Sequence, residues 1–304
     1  PDAYEHAGKG TGQALDRITR TPDTRTGPDR NNTMSTSTLP LVIEPDTLEE
    51  SMSYNNILIV DIGKMDNYRR MHVPGAVHLE YPQIIAVSKP VMGLVPDDAT
   101  LVRVFSSLGI DADTHVVAYD DEGGGRAARL LWTLEVAGHT RYSLLNGGLH
   151  AWVNEGHPLE TTTPTPTAKT FHIRRNNEPS VDSAYIHARL GNEHCCLLDA
   201  RSPDEYNGIK RFAERAGHIP GAVNLEWTQA IDTHRNMRLR STEELTALVA
   251  PLGITADKEV IVYCQTHHRS AHSYLMLKHL GYENVKGYAG SWSDWGNNPD
   301  LPVE

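Results

Sequence analysis

The run Cys264-Gln265-Thr266-His267-His268-Arg269-Ser270 puts a thiol, two imidazoles, a guanidinium and a hydroxyl side by side. It follows the short uncharged stretch Val260-Ile261-Val262-Tyr263, which suits a strand buried on both faces of a parallel sheet. It precedes Ser270 to Leu280, which reads as a helix with Ala271, Tyr274, Leu275, Met276 and Leu277 on or near its apolar side and Gly281 as its stop. A cysteine attacks as the thiolate, so what matters is the charge around its sulfur. In a tight turn the backbone N–H groups can converge on one anion, and a helix N-terminus adds roughly half a positive charge. His267, His268 and Arg269 add cationic or potentially cationic groups. Cys264 is therefore expected to be a nucleophile near neutral pH, open to a crevice between two lobes. Two other readings compete. A cysteine ending a strand can be a small buried hydrophobe, but so many bulky polar neighbours are not core filler. Cys264, His268 and His272 could bind zinc, the histidines being at i, i+4, but no second ligand pair of matching spacing occurs.

The elements that must position this loop occur twice. His72-Val73-Pro74-Gly75-Ala76-Val77-His78-Leu79-Glu80 matches His218-Ile219-Pro220-Gly221-Ala222-Val223-Asn224-Leu225-Glu226. Val116-Val117-Ala118-Tyr119-Asp120 matches Val260-Ile261-Val262-Tyr263-Cys264, and the stretch containing Trp152 matches the one containing Trp295. A displacement of about 140 residues is a domain duplication and not a solenoid repeat. Each copy alternates short apolar strands with helical patterns, which predicts two tandem α/β domains, each a parallel sheet flanked by helices on both faces. The expected boundaries are a disordered leader over 1–38, a first domain over 39–158, a linker over 159–180 around Pro164 and Pro166, and a second domain over 181–304. The leader carries no secretory apolar core, and Met34 is expected to be the native start.

Composition narrows the partners. The chain has 304 residues, 39% of them hydrophobic, with 28 Lys plus Arg against 39 Asp plus Glu, a formal charge of −11. Such a balance disfavours general binding to nucleic acid or anionic membranes. An anionic substrate would need a local positive spot on an acidic body. The three cysteines cannot make a disulfide framework, so a reducing, cytoplasmic setting is expected. No apolar run reaches the ~18–20 residues of a membrane helix.

The duplication, the Asp199-Ala200-Arg201 and Gly217-His218-Ile219-Pro220-Gly221-Ala222 segments and the cysteine loop together resemble the tandem-domain rhodanese family of sulfurtransferases. The loop is similar to that of its bacterial, Azotobacter-type branch. The resemblance spans roughly residues 40–304. It implies a duplicated five-stranded parallel sheet, no metal or cofactor, and a persulfide intermediate on Cys264. The outer sulfur would come from thiosulfate or a related donor and pass to cyanide or to a thiol, a thioredoxin-like protein among them. It further implies that Arg201 contacts the anionic donor, with Gln265, Thr266, His267, His268 and Arg269 lining the donor site. The loop departs from the Cys-Arg-Lys-Gly-Val-Thr of vertebrate-type enzymes and from the Cys-Gly-[Ser/Thr]-Gly-Val-Thr of mercaptopyruvate enzymes. Thr266 stands where a basic residue is usual, so 3-mercaptopyruvate remains an alternative donor. A non-catalytic sulfur-carrier module is the alternative from another class. Phosphatases that share the fold need Cys-x5-Arg, a wider cradle. Here that arginine position is Ser270, and the tighter loop suits a sulfane sulfur.

The remaining candidates read as follows. Asp199 and its counterpart Asp61 occur in both copies, which favours an architectural role at least as much as a catalytic one. His72 and His218 point to the fold for the same reason. Arg235, Arg238 and Arg240 read as a solvated basic face, and Trp227 as either a wall of the site or core. Cys195 and Cys196 are expected to be structural. Asp120 replaces the cysteine in the first copy, and a carboxylate cannot form a persulfide. The first domain is therefore expected to be catalytically silent, a scaffold and one wall of the cleft, in a monomer.

Overall fold

The computed structural model describes residues 39–304, so the expected leader and Met34 lie outside the described residues. Each copy folds around a five-stranded, all-parallel sheet. In the first, the strands stand in the order Val42–Ile43, Tyr142–Leu145, His115–Tyr119, Ile57–Asp61, Val77–His78. In the second, the equivalent strands are Ser180–Val181, Val285–Tyr288, Glu259–Tyr263, Cys195–Asp199 and Val223–Asn224, in the same spatial order. Even the small antiparallel hairpins recur, Ala86–Ser88 with Val91–Leu94 and Ile231–Asp232 with Arg238–Leu239. The central strand of each sheet is covered on both sides, which is why its sequence is apolar without alternation.

The matched histidine segments hold the copies in shape. The rings of His72 and His218 stack on Tyr68 and Tyr206 and bond the same tyrosines' carbonyl oxygens. The chain then closes each copy with a two-way backbone pair, His72 with Glu160 and His218 with Glu304. Tyr119 and Tyr263 accept at their hydroxyl oxygens from the N–H groups of Val73 and Ile219. These histidines serve the fold.

The two copies form one body. The helix Gly125–Val136, after the central strand of the first sheet, packs along the helix Arg269–His279, after that of the second. One apolar cluster runs through both copies, and two smaller ones cover the outer sheet faces. The Arg269–His279 helix is therefore buried almost all round, its polar residues Ser270, His272 and Ser273 included. The segment after Glu160 is no slack tether: the N–H groups of Lys169, Arg174 and Asn176 bond the carbonyls of Ser106, Ala137 and Val136. Arg238, expected on a solvated face, is instead buried as a clamp on Glu44 and Glu155 of the first copy. Its aliphatic stem and fork suit that seam, whereas Arg235 is exposed and Arg240 lies at the surface.

Candidate active site

The loop at Cys264 leaves the carboxyl end of the central strand and enters the Arg269–His279 helix, the position where open α/β sheets bind ligands. Its shape is fixed from below by Ser291. The Ser291 hydroxyl oxygen accepts the N–H of Cys264 at 3.3 Å and of His267 at 3.1 Å, and its proton goes to the Tyr288 carbonyl at 2.7 Å. The carbonyls of Cys264 and Gln265 accept from Trp292 and Ser293. Both His267 and Ser291 sit at positive φ, 54° and 49°, a conformation that costs non-glycine residues energy and persists only where surroundings enforce it. At the matching place in the first copy stands Gly148, φ 52°.

The sulfur is held as an anion. Burial works against ionisation of Cys264, yet the charge of Arg269, the hydroxyl and N–H of Ser270 and the N–H of Thr266 outweigh it, and its pKa falls to about 7. The amides of Thr266 and Ser270 face the sulfur as expected, whereas those of Cys264 and His267 serve Ser291. Arg269 is itself anchored by two bonds to Glu205, 2.6 and 2.8 Å. Burial pushes the Glu205 carboxyl up, but Arg269 and the Ser202 cap hold it down at about 2. The pair stays charged through the neutral range.

Several expected roles need correction. The thiol is not open to a crevice: Cys264 has no exposed surface. His267 is no cation, because burial and the neighbouring Arg129 and His268 charges drive its pKa well below the usual range. Its ring lies edge-on to Trp132 and its Nδ1 bonds the Ser270 hydroxyl at 2.7 Å. If Ser270 donates to the sulfur, Nδ1 must carry the imidazole proton. His268 turns from the sulfur to Glu122 of the first copy, between Tyr81 and Trp227, so Trp227 belongs to the seam. Arg201, expected to contact the donor, is tied to the fold. It is 1% exposed, its Nε and Nη2 locked on Asp199 and the Gly217 carbonyl, with Trp292 beneath it. Asp199 is equally buried, so the pair is architectural. The Gln265 side chain reaches the Phe212 carbonyl at 3.1 Å, and Thr266 is half-buried. Cys195 and Cys196 are strand residues, and burial and Glu259 push the Cys195 thiol up to about 12. Among the described residues no group of three or more His, Cys, Asp or Glu side chains could hold a metal ion.

In the first copy, Asp120 fills its own cradle: its carboxylate accepts the N–H groups of Glu122 (3.0 Å), Gly124 (2.8 Å) and Ala127 (3.0 Å). Sequence reasoning missed Ser291, Glu205 and Arg129. The substitution of Ser291 for Gly148 between otherwise parallel copies was the signal for the first. An arginine inside the apolar run Ala127-Ala128-Arg129-Leu130-Leu131-Trp132 was the signal for the third.

With this geometry in hand, comparison with known proteins is direct. The rhodanese-like domain family matches the chain twice, over residues 44–155 and 182–298. The chain belongs to the rhodanese family. Thiosulfate sulfurtransferases of Pseudomonas aeruginosa and Azotobacter vinelandii are each 45% identical to it over 268 residues, 88% of this chain and 98% of theirs. A solved structure of the anaerobic ergothioneine biosynthesis enzyme of Chlorobium limicola superposes with a TM-score of 0.78 at 23% identity, covering 87% of this chain and 70% of that one. That likeness concerns the fold. A duplicated, parallel-sheet rhodanese architecture is thus shared by sequence and by structure.

Proposed function

We propose that this rhodanese is a thiosulfate sulfurtransferase working through a persulfide on Cys264. The observation that carries the reading is the convergence of Arg269, the Ser270 hydroxyl and N–H and the Thr266 amide on the Cys264 sulfur, which lowers its pKa to about 7 and favours the thiolate. The thiolate attacks the outer sulfur of thiosulfate. The S–S bond of the donor breaks, its electron pair leaves on sulfite, and Cys264 carries a persulfide anion. Cyanide or a thiolate then attacks the outer sulfur, and the returning electron pair restores the Cys264 thiolate. No proton need move in either step with cyanide. The same cradle of donors that favours the thiolate favours the persulfide anion, so the two resting forms are stabilised alike.

The first copy, residues 39–158, has no sulfur nucleophile at Asp120 and acts as scaffold, joined through the 159–180 segment to the catalytic copy, 181–304. Gln265, Thr266 and Arg269 stand at the donor's approach, with His267 and His268 shaping the loop. Three free cysteines suit a reducing cytoplasmic setting. A monomer suffices, since the catalytic loop is completed within one chain. The test is mass spectrometry of the intact protein and of the Cys264 peptide after incubation with thiosulfate or, separately, with 3-mercaptopyruvate. Gain of one sulfur from thiosulfate, lost on adding cyanide and absent in Cys264→Ser, is the expected result. Charging by mercaptopyruvate alone would reassign the donor, charging without release to cyanide or a thiol would make the protein a carrier, and no charging would overturn the reading.

A further inference from the structure

Arg129 is the most unusual side chain in the interior. It belongs to the Gly125–Val136 helix of the first copy, has no exposed surface, and makes no ion pair among the described residues. A lone buried cation is costly unless its donors are bonded and its charge is matched. The donors are bonded. Nη1 gives to the carbonyls of Thr266 (3.1 Å) and His267 (3.2 Å), which are in the catalytic loop of the other copy. Nη2 gives to the carbonyls of Gly93 (2.7 Å) and Leu94 (3.3 Å) in the Val91–Leu94 hairpin strand, and Nε to the Thr133 hydroxyl at 3.4 Å. Four carbonyl dipoles from two segments thus converge on one planar fork, a geometry that lysine cannot reproduce.

The matching charge lies in the same interior. The ionised groups that act on Arg129 are Tyr81 and Cys264, and the thiolate favours its charged form. Tyr81 has its own pKa pushed up to about 12 by burial and so is neutral in the working range. Of the groups that act on Arg129 this leaves the Cys264 thiolate as the anion, while the thiolate itself is held first by Arg269 and the Ser270 and Thr266 donors. The other ionisable groups near the loop are already committed: Arg269 to Glu205, His268 and Arg126 to Glu122. Pinning the Thr266 and His267 carbonyls also fixes the amides that follow them, among them the His267 N–H bonded to Ser291, and so the turn that lies between the Thr266 and Ser270 donors.

We propose that Arg129 is a positioning residue for sulfur transfer: a cation lent by the silent copy that holds the catalytic loop in its anion-binding shape and matches the charge on Cys264. The inference rests on the persulfide reading above for its purpose, though not for its measurement. It also gives the first copy a task, since the catalytic loop of the second is incomplete without it.

The pH dependence of Cys264 alkylation by iodoacetamide, compared in wild type, Arg129→Gln and Arg129→Lys, tests it. Loss of a cation, and of the loop shape that aims the Thr266 and Ser270 donors at the sulfur, raises a thiol's pKa by about one unit or more. From a starting value of about 7, Arg129→Gln is expected to move the midpoint to about 8 or above and cut the alkylation rate at pH 7 about fivefold. Arg129→Lys, which keeps the charge and loses the fork, is expected to raise the midpoint by less than Arg129→Gln does and to slow sulfur uptake from thiosulfate. A folded Arg129→Gln protein with the wild-type midpoint overturns the proposal. So does an Arg129→Lys protein with both the wild-type midpoint and the wild-type rate of sulfur uptake, and this second arm stands even if Arg129→Gln does not fold. Failure of the wild type to take up sulfur would instead refute the persulfide reading, while the alkylation midpoints would still report on Arg129.

Discussion

Replacing Gly93 by alanine perturbs the catalytic loop from the hairpin packed against it, with every residue of the loop itself unchanged. Gly93 lies at φ +78°, and a Cβ built there falls 2.2 Å from the Thr266 carbonyl oxygen and 2.8 Å from its carbon. Real contacts of that kind do not occur, so either the hairpin retreats or the loop deforms at Thr266, by roughly 1 Å in either case. Retreat breaks the Met92–Ser293 bonds, 2.9 and 3.0 Å, and loosens the Arg129 grip on the Gly93 carbonyl. Left-handed backbone costs alanine about 1 kcal/mol, and two or three weakened hydrogen bonds cost about 1 kcal/mol each. The expected loss is therefore about 3–4 kcal/mol, a Tm lower by roughly 6–12 °C for a body of this size. Displacement of the Thr266 amide from the sulfur is expected to lower kcat/KM for thiosulfate at least about tenfold. Gly156→Ala is the control, because Gly156 has a similar φ of +83° with nothing within 4 Å of the added carbon. It carries the backbone strain alone, about 1 kcal/mol. Thermal melts and thiosulfate:cyanide turnover of the two variants isolate the clash. A Gly93→Ala protein no less stable and no less active than Gly156→Ala would refute the close packing of the hairpin on the catalytic loop.

Sulfur uptake and alkylation at Cys264 are expected to reach half their plateau near pH 7 in stopped-flow measurements, since the folded thiol ionises at about 7. A thiol whose pKa is depressed on folding adds stability that is full above its ordinary value near 9 and lost as pH falls through 7, so the Tm advantage of wild type over Cys264→Ser should grow from pH 7 to pH 9. Arg238→Gln removes the clamp between the copies and, with Glu44 half-exposed, should cost about 1–2 kcal/mol in a urea titration at pH 7. Because Arg238 holds the Glu155 carboxyl down at about 2, the difference between wild type and Arg238→Gln should be full above pH 4.5 and close as pH falls towards 2.

What could be read in the amino-acid sequence was whatever repeats or alternates. The two α/β copies, the buried strand before Cys264 and the helix after it follow from patterns that local chemistry imposes, and the structure places them at Glu259–Tyr263 and Arg269–His279. The anion cradle was half legible. Cys264 and Arg269 could be placed from the strand–loop–helix grammar, but the use of the His267 amide by Ser291, 24 residues on, could not. Arg201 shows the limit most clearly. Its motif suggested a donor contact, whereas two residues away in the same buried layer Asp199 takes its Nε and Nη2, a pairing no sequence pattern announces. His267 and His268 share a type and adjoin in sequence, yet one is neutral against Trp132 and the other paired with Glu122, because successive residues of a tight loop face different environments. Arg129 was invisible for a related reason. It acts across the seam, and no period within its own helix announces a partner in the other copy.

The complete covering of Cys264 has a kinetic meaning. A sulfur with no exposed surface reacts only in molecules whose cover has momentarily lifted, so every observed rate is an intrinsic rate multiplied by an open fraction. The halves are strapped, clamped and stapled together, so a wide hinge is an expensive way to lift it. A cover that lifts only locally would sort reagents by size before chemistry begins, admitting a three-oxygen anion more readily than a bulky oxidant or a folded polypeptide, and would shelter the sulfur between turnovers.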